Sequence, residues 1–232
     1  MNFPRSESDT LAALTSARLV AQLAENKGVV RGNAWYREPL CHVGAILADA
    51  SLQAGLNYKT VVRVRVDRIV AQFPEAATLT GTFQIIAAEG ATYFLNWHHH
   101  TKVERFVYLA ELLRSEEVDD FDQLRSWLQN AKCRVKLRAI HGIGPKTVDY
   151  LCGLVGLDYV AVDRHIRTFA NDAGVAAADY DFLQTVMSYA ADLLGVSRRH
   201  FDASIWAYVA NQRAAQGQAA LQLSFDGVGA VT

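Results

Sequence analysis

Residues 138–154 read RAIHGIGPKTVDYLCGL, and this stretch constrains the chain more than any other. Two glycines and a proline sit between two apolar segments. Gly142 and Gly144 permit positive φ and a close backbone approach. Pro145 has a fixed φ and no N–H, which suits the first turn of a following helix. The pattern predicts a helix over CRVKLRAI, a tight turn, and a second helix over KTVDYLCGL.

Helical spacing extends over most of the chain. SESDTLAALTSARLVAQLAEN places Leu11, Leu14, Leu19 and Leu23 at helical intervals behind Ser and Asp caps. EPLCHVGAILADASLQAG reads as a buried helix ending at Gly55. In YKTVVRVRVDRIVAQF, Val62, Val64 and Val66 alternate with Arg63 and Arg65 as a strand would, but its length and its neighbours favour helix. TKVERFVYLAELLRSEEV and DDFDQLRSWLQNA are amphipathic helices, the second opened by acidic residues. Further helices are expected in VDRHIRTFANDAGV, YDFLQTVMSYAADLLGV and RRHFDASIWAYVANQRAAQ, with a frayed tail in SFDGVGAVT. The four prolines all fall at boundaries or first turns, and no internal repeat is present. The expected class is all-α.

Composition narrows the functions. With 232 residues, 51% of them hydrophobic, the chain can fill one sizeable core or two small ones. A net charge of −1 is unlike a non-specific nucleic-acid coat, although a local basic patch is compatible with it. Cys41, Cys133 and Cys152 are scattered without a Cys-x-x-Cys pair, which argues against a zinc ribbon, an iron–sulfur cluster or a disulfide framework. MNFPRSESDT lacks the character of a signal peptide, and no apolar run approaches the roughly 18 residues of a membrane span. A reducing cytoplasm is the expected location.

Backbone N–H groups at a glycine turn and helix start suit a phosphate. Lys132, Arg134, Lys136 and Arg138 would extend a positive strip beside it. The turn alone reads first as an ordinary helix connection with a solvated basic face. The next segment, AVDRHIRTF, opens a helix at Asp163. Taken together, Gly-Ile-Gly-Pro-Lys-Thr and Val-Asp-Arg-His-Ile resemble the helix-hairpin-helix base-excision DNA glycosylases of the endonuclease III type. The similarity is strongest over 136–170 and extends more weakly over 36–213.

That resemblance implies a two-lobed all-α fold. Residues 30–158 would form a helical barrel domain carrying the hairpin (about 133–155). Residues 1–29 and 159–232 would form a second helical domain, with the active-site cleft between the lobes. It implies a monomer acting on double-stranded DNA that contains a damaged or modified base, with no membrane partner. Lys146 would be the nucleophile and Asp163 the essential carboxylate. Gly142, Ile143, Gly144, Thr147, Lys136, Arg138 and His165 would contact DNA, and a monovalent cation is admissible at the hairpin. Endonuclease III carries four closely spaced cysteines after its last helix. AAQGQAALQLSFDGVGAVT contains none, so no cofactor and no iron–sulfur cluster are expected.

The chemistry suits these residue types. A base must leave the duplex before its glycosidic bond can be cut. Positive charge then builds on the sugar, and a carboxylate such as Asp163 stabilises it. An amine nucleophile forms a Schiff base and permits strand cleavage by β-elimination, which makes the enzyme a glycosylase and AP lyase. Each residue also has a plainer role: Asp163 as a helix N-cap, Lys146 as a solvated partner of Asp149. A monofunctional glycosylase for alkylated, mismatched or hypermodified bases, and a non-catalytic DNA-binding module, are the alternatives. Gln53 matches the position of a wedge that fills the gap left by the flipped base. Trp97 and His99 are base-pocket candidates, and Trp35 and Tyr36 are possible stacking partners. WHHH (Trp97–His100) lacks a carboxylate or cysteine at ligand spacing, so no metal is assigned. Asp49 and Asp202 are further carboxylates, the latter read as structural.

Overall fold

The computed structural model describes residues 7–30, 38–176 and 179–226, with side chains to residue 212. Among the described residues every regular element is helical. The chain divides into two compact units, Arg37–Tyr159 and Met1–Tyr36 with Val160–Thr232.

The first unit is built round α2 (Val43–Leu52), in which all ten residues are buried. A helix buried on every side can only lie inside a bundle. Its N-cap is His42, whose Nδ1 accepts from Ala45 N (3.2 Å) while Nε2–H donates to the Phe73 carbonyl (3.0 Å). Burial pushes the His42 pKa down, in keeping with this neutral tautomer. A π turn (Tyr58–Val62) leads into α3 (Arg63–Gln72), and a 3-10 turn (Pro74–Ala77) into α4 (Leu79–Glu89). Helices α5 (Ala91–Leu95), α6 (His100–Ser115), α7 (Phe121–Gln129), α8 (Ala131–Leu137) and α9 (Pro145–Leu154) complete the unit. Val62, closing the π turn, and Val66 in α3 are buried and Val64 is exposed, so a four-residue period replaces the apparent strand alternation. Phe94 and Phe106 stack 5.5 Å apart in the core.

Gly81 marks the tightest approach in this unit. A Cβ there would lie 2.6 Å from the Glu75 carbonyl carbon, and a main-chain group has little room to yield. Gly81→Ala should therefore cost about 3 kcal/mol, the upper end for an overpacked core, and lower the melting temperature by roughly 10 °C. Gly153→Ala, in α9 with nothing within 4 Å of the added carbon, should instead stabilise by roughly 0.5–1 kcal/mol. Circular-dichroism melts of the two variants test the contrast.

The second unit contains α1 (Glu7–Asn26), α10 (Arg164–Asp172), α11 (Tyr180–Leu193) and α12 (Arg198–Asp226). The face that α1 buries is Ala13, Ala17, Val20, Ala21 and Ala24. Leu11, Leu14 and Leu19 are exposed instead. Small side chains let α1 lie close along α11, and that close approach, not leucine bulk, sets which face turns inward. Of the expected tail, 227–232 lie outside the described residues, and 224–226 close α12.

Candidate active-site residues

The hairpin joins α8 to α9. Ile140 N donates to Leu137 O (3.1 Å) and Ile143 N to Ile140 O (3.0 Å), which turns the chain. Ile143 is buried among Leu137, Val148 and Leu151, so its side chain anchors the turn from beneath. Gly142 has φ +80°, a conformation L side chains rarely adopt. The space a side chain would need is filled by Arg105, whose Cζ would sit 2.6 Å from an added Cβ. Arg105 Nε also donates to His141 O (3.4 Å). Gly144 differs from expectation: it is extended (φ −96°, ψ −179°), and nothing lies within 4 Å of an added Cβ. Its value is an open approach to the backbone at the start of α9. Thr147, in the first turn of α9, is buried.

Lys146 lies in the first turn of α9. Its Nζ donates to Gln53 Oε1, at the end of α2, and sits 5.2 Å from the Tyr150 ring centre. Tyr150 Oη donates to Asp49 Oδ1 (2.8 Å), and Tyr58 Oη to Asp49 Oδ2 (3.2 Å). Asp49 is only 1% exposed, so these phenols help solvate a carboxylate that water does not reach. Gln53 thus has its carbonyl on Lys146, while its Nε2 is buried without a hydrogen-bond partner. Beside it, Lys102 Nζ donates to Leu52 O (2.9 Å) and Ala54 O (2.6 Å). Burial pushes the Lys102 pKa down to about 8, helped by the nearby charges of Arg105 and Lys146.

Asp163 belongs to the second unit. It N-caps α10: Oδ1 accepts from His165 N (2.7 Å) and Ile166 N (3.0 Å). Oδ2 faces His165 Nδ1 at 3.0 Å. The His165 side chain is 8% exposed and the Asp163 side chain 24%, so the imidazole is buried beneath a carboxylate that still meets solvent. Trp206 packs edge-on against His165, with ring centres 5.8 Å apart. The approach to Asp163 is fixed too. Ala161 N donates to Asp202 Oδ2 (2.9 Å), the structural role expected of Asp202, and Val162 N to Tyr180 Oη (3.2 Å).

The basic strip is only partly available. Lys136 is bound to both Glu116 oxygens (2.7 and 2.6 Å). That contact lowers the Glu116 pKa and raises that of Lys136. Arg134 caps α7 through the Leu128 and Gln129 carbonyls (2.6 and 2.9 Å) and lies over Tyr159. Lys132 and Arg138 are exposed. Trp97 is half-buried under Arg65, 4.8 Å from its ring centre, and its Nε1 has no hydrogen-bond partner. His98, His99 and His100 are exposed, His99 at the N-cap position of α6 without a side-chain capping bond and His100 facing Glu104 at 3.1 Å. Trp35 and Tyr36 lie outside the described residues. Among the described residues, no group of three or more His, Cys, Asp or Glu is arranged to hold a metal, and no helix is long and apolar enough to cross a membrane. Sequence reasoning passed over Lys102 and Arg105. Their partners, the carbonyls of Leu52, Ala54 and His141, lie 36 to 50 positions away along the chain, so HTKVERF itself carries no signal for them.

The described helices and the hairpin form the all-α fold of the helix-hairpin-helix DNA glycosylases. A solved structure with this fold is the H. pylori 3-methyladenine DNA glycosylase (MagIII) bound to 1,N6-ethenoadenine. The TM-score is 0.57 at 16% sequence identity, covering 85% of this chain and 98% of the glycosylase. Residues 98–210, which hold both Lys146 and Asp163, match a domain of unknown function, DUF8548. No curated protein matches.

Proposed function

We propose that the protein is a DNA glycosylase that removes a damaged or modified base from duplex DNA, with Asp163 as the charge-stabilising carboxylate and Lys146 as the nucleophile of an accompanying AP-lyase step. The observation that carries this reading is the placement of both residues. Each opens a helix in a glycosylase fold, and each has its polar head held by a second side chain, Gln53 or His165. In the reaction, the Lys146 lone pair bonds to the anomeric carbon as the glycosidic bond breaks. The base leaves with the bonding electrons and takes up a proton. Asp163 offsets the positive charge that the sugar carries in between. Opening of the sugar gives an imine, and loss of the adjacent carbon-bound proton expels the 3′ phosphate.

A monofunctional reading is favoured by a separate observation: the structural relative is named for 3-methyladenine, an alkylated base. In that case Lys146 contacts the sugar or phosphate as a cation. A panel of duplexes carrying 3-methyladenine, 1,N6-ethenoadenine, oxidised pyrimidines or an abasic site separates the readings. Base release with strand cleavage in the absence of alkali is the expected result. Base release with an intact strand selects the monofunctional reading. Salt-dependent binding with no base released from any duplex sinks the glycosylase proposal and leaves a binding module.

A further inference from the structure

The main-chain carbonyls of Leu52 and Ala54 hold the Lys102 ammonium, and the side chain of the residue between them, Gln53, holds Lys146. Consecutive residues at the end of α2 therefore secure two amines brought in from α6 and α9. We infer that Lys102 is a positioning residue for Lys146: its pinned positive charge disfavours a second positive charge on the Lys146 amine and keeps that amine ready to attack.

The geometry gives the repulsion a direction. Two carbonyl acceptors favour the ammonium form of Lys102. With its pKa near 8, Lys102 is still largely protonated at neutral pH. At neutral pH that charge enlarges the neutral fraction of Lys146, as it does for lysines activated by an adjacent cation. The other ionisable groups on the neighbouring elements include Asp49 on α2, Tyr58 and Lys59 in the π turn, Glu104 and Arg105 on α6, His141 in the hairpin, and Asp149 and Tyr150 on α9. Arg105 acts in the same sense as Lys102. Asp49 and Asp149 oppose it, and Asp49 spends its oxygens partly on the two phenols.

The inference rests on Lys146 being the reactive amine, so the test reads that amine without DNA. Reductive methylation with formaldehyde and cyanoborohydride at neutral pH, where Lys102 is charged, mapped by peptide mass spectrometry, gives the rate at which Lys146 reacts. In Lys102→Met and Lys102→Gln that rate should fall roughly tenfold. The glutamine still offers a donor to the Leu52 and Ala54 carbonyls. Lys102→Arg should keep the wild-type rate. An unchanged rate in the two neutral variants overturns the inference. If neither neutral variant folds, the wild type decides. An NMR titration with isotope-labelled lysine should show Lys146 responding in two steps, one following Lys102, and independent single-step curves overturn the coupling. A coupled pair that forms no imine on an abasic duplex counts against the lyase role of Lys146 and leaves the coupling standing.

Discussion

Asp163→Asn should lower single-turnover base release by roughly 100- to 1,000-fold, the range seen when one preorganised electrostatic group is lost, with little change in melting temperature. The geometry makes this substitution informative. Asparagine is as good an N-cap as aspartate, so its side-chain oxygen can keep the bonds from His165 N and Ile166 N. The second oxygen becomes an NH2 facing His165 Nδ1. That contact survives if the imidazole moves its proton to Nε2 and accepts at Nδ1. Shape, cap and helix start are thus retained while the negative charge is removed. A variant that melts like the wild type and still excises the base at the wild-type rate would reduce Asp163 to a cap. Asp163→Ala is the poorer experiment, because it also removes the cap, worth about 1 kcal/mol.

Punctuation was the most legible part of the sequence. Gly142, Gly144 and Pro145 announce the hairpin locally, and Asp163 announces a helix start with its own side chain. Both signals depend on residues within a few positions of each other. What was not legible depends on distance. Lys136 reads as a phosphate ligand until Glu116, brought alongside from the end of α6, neutralises it. The inward face of α1 is set by how close α11 lies, which no leucine spacing reveals. His42 is an unusual N-cap whose use becomes clear only with the Phe73 carbonyl behind it. The hold of Leu52 and Ala54 on Lys102 joins residues about fifty positions apart through main-chain oxygens, which leave no trace in side-chain identity. Gln53 shows the same limit. The wedge role expected of it comes from the family resemblance, and its hydrogen bond to Lys146 is a property of the packed helices.

Lys146→Ala should abolish the borohydride-trapped adduct on an abasic duplex and slow strand cleavage without alkali by at least roughly 100-fold, the order expected when a group acting directly in the reaction is removed. The substitution also strips Gln53 of its partner. With Nε2 already buried and unpaired, the whole carboxamide is then left to find new bonds, a cost of about 1–3 kcal/mol. Lys146→Gln removes the amine and returns a donor to Gln53 Oε1, so it should melt close to the wild type. If both variants lose the adduct while only alanine loses stability, the amine and not the packing carries the lyase step. If base release persists in Lys146→Gln, water has replaced the amine at the anomeric carbon, and Asp163 alone suffices for excision. An adduct of equal yield in all three proteins would move the nucleophile elsewhere, with Lys102 the first residue to substitute, since its amine is held at the neighbouring residues of the same helix end.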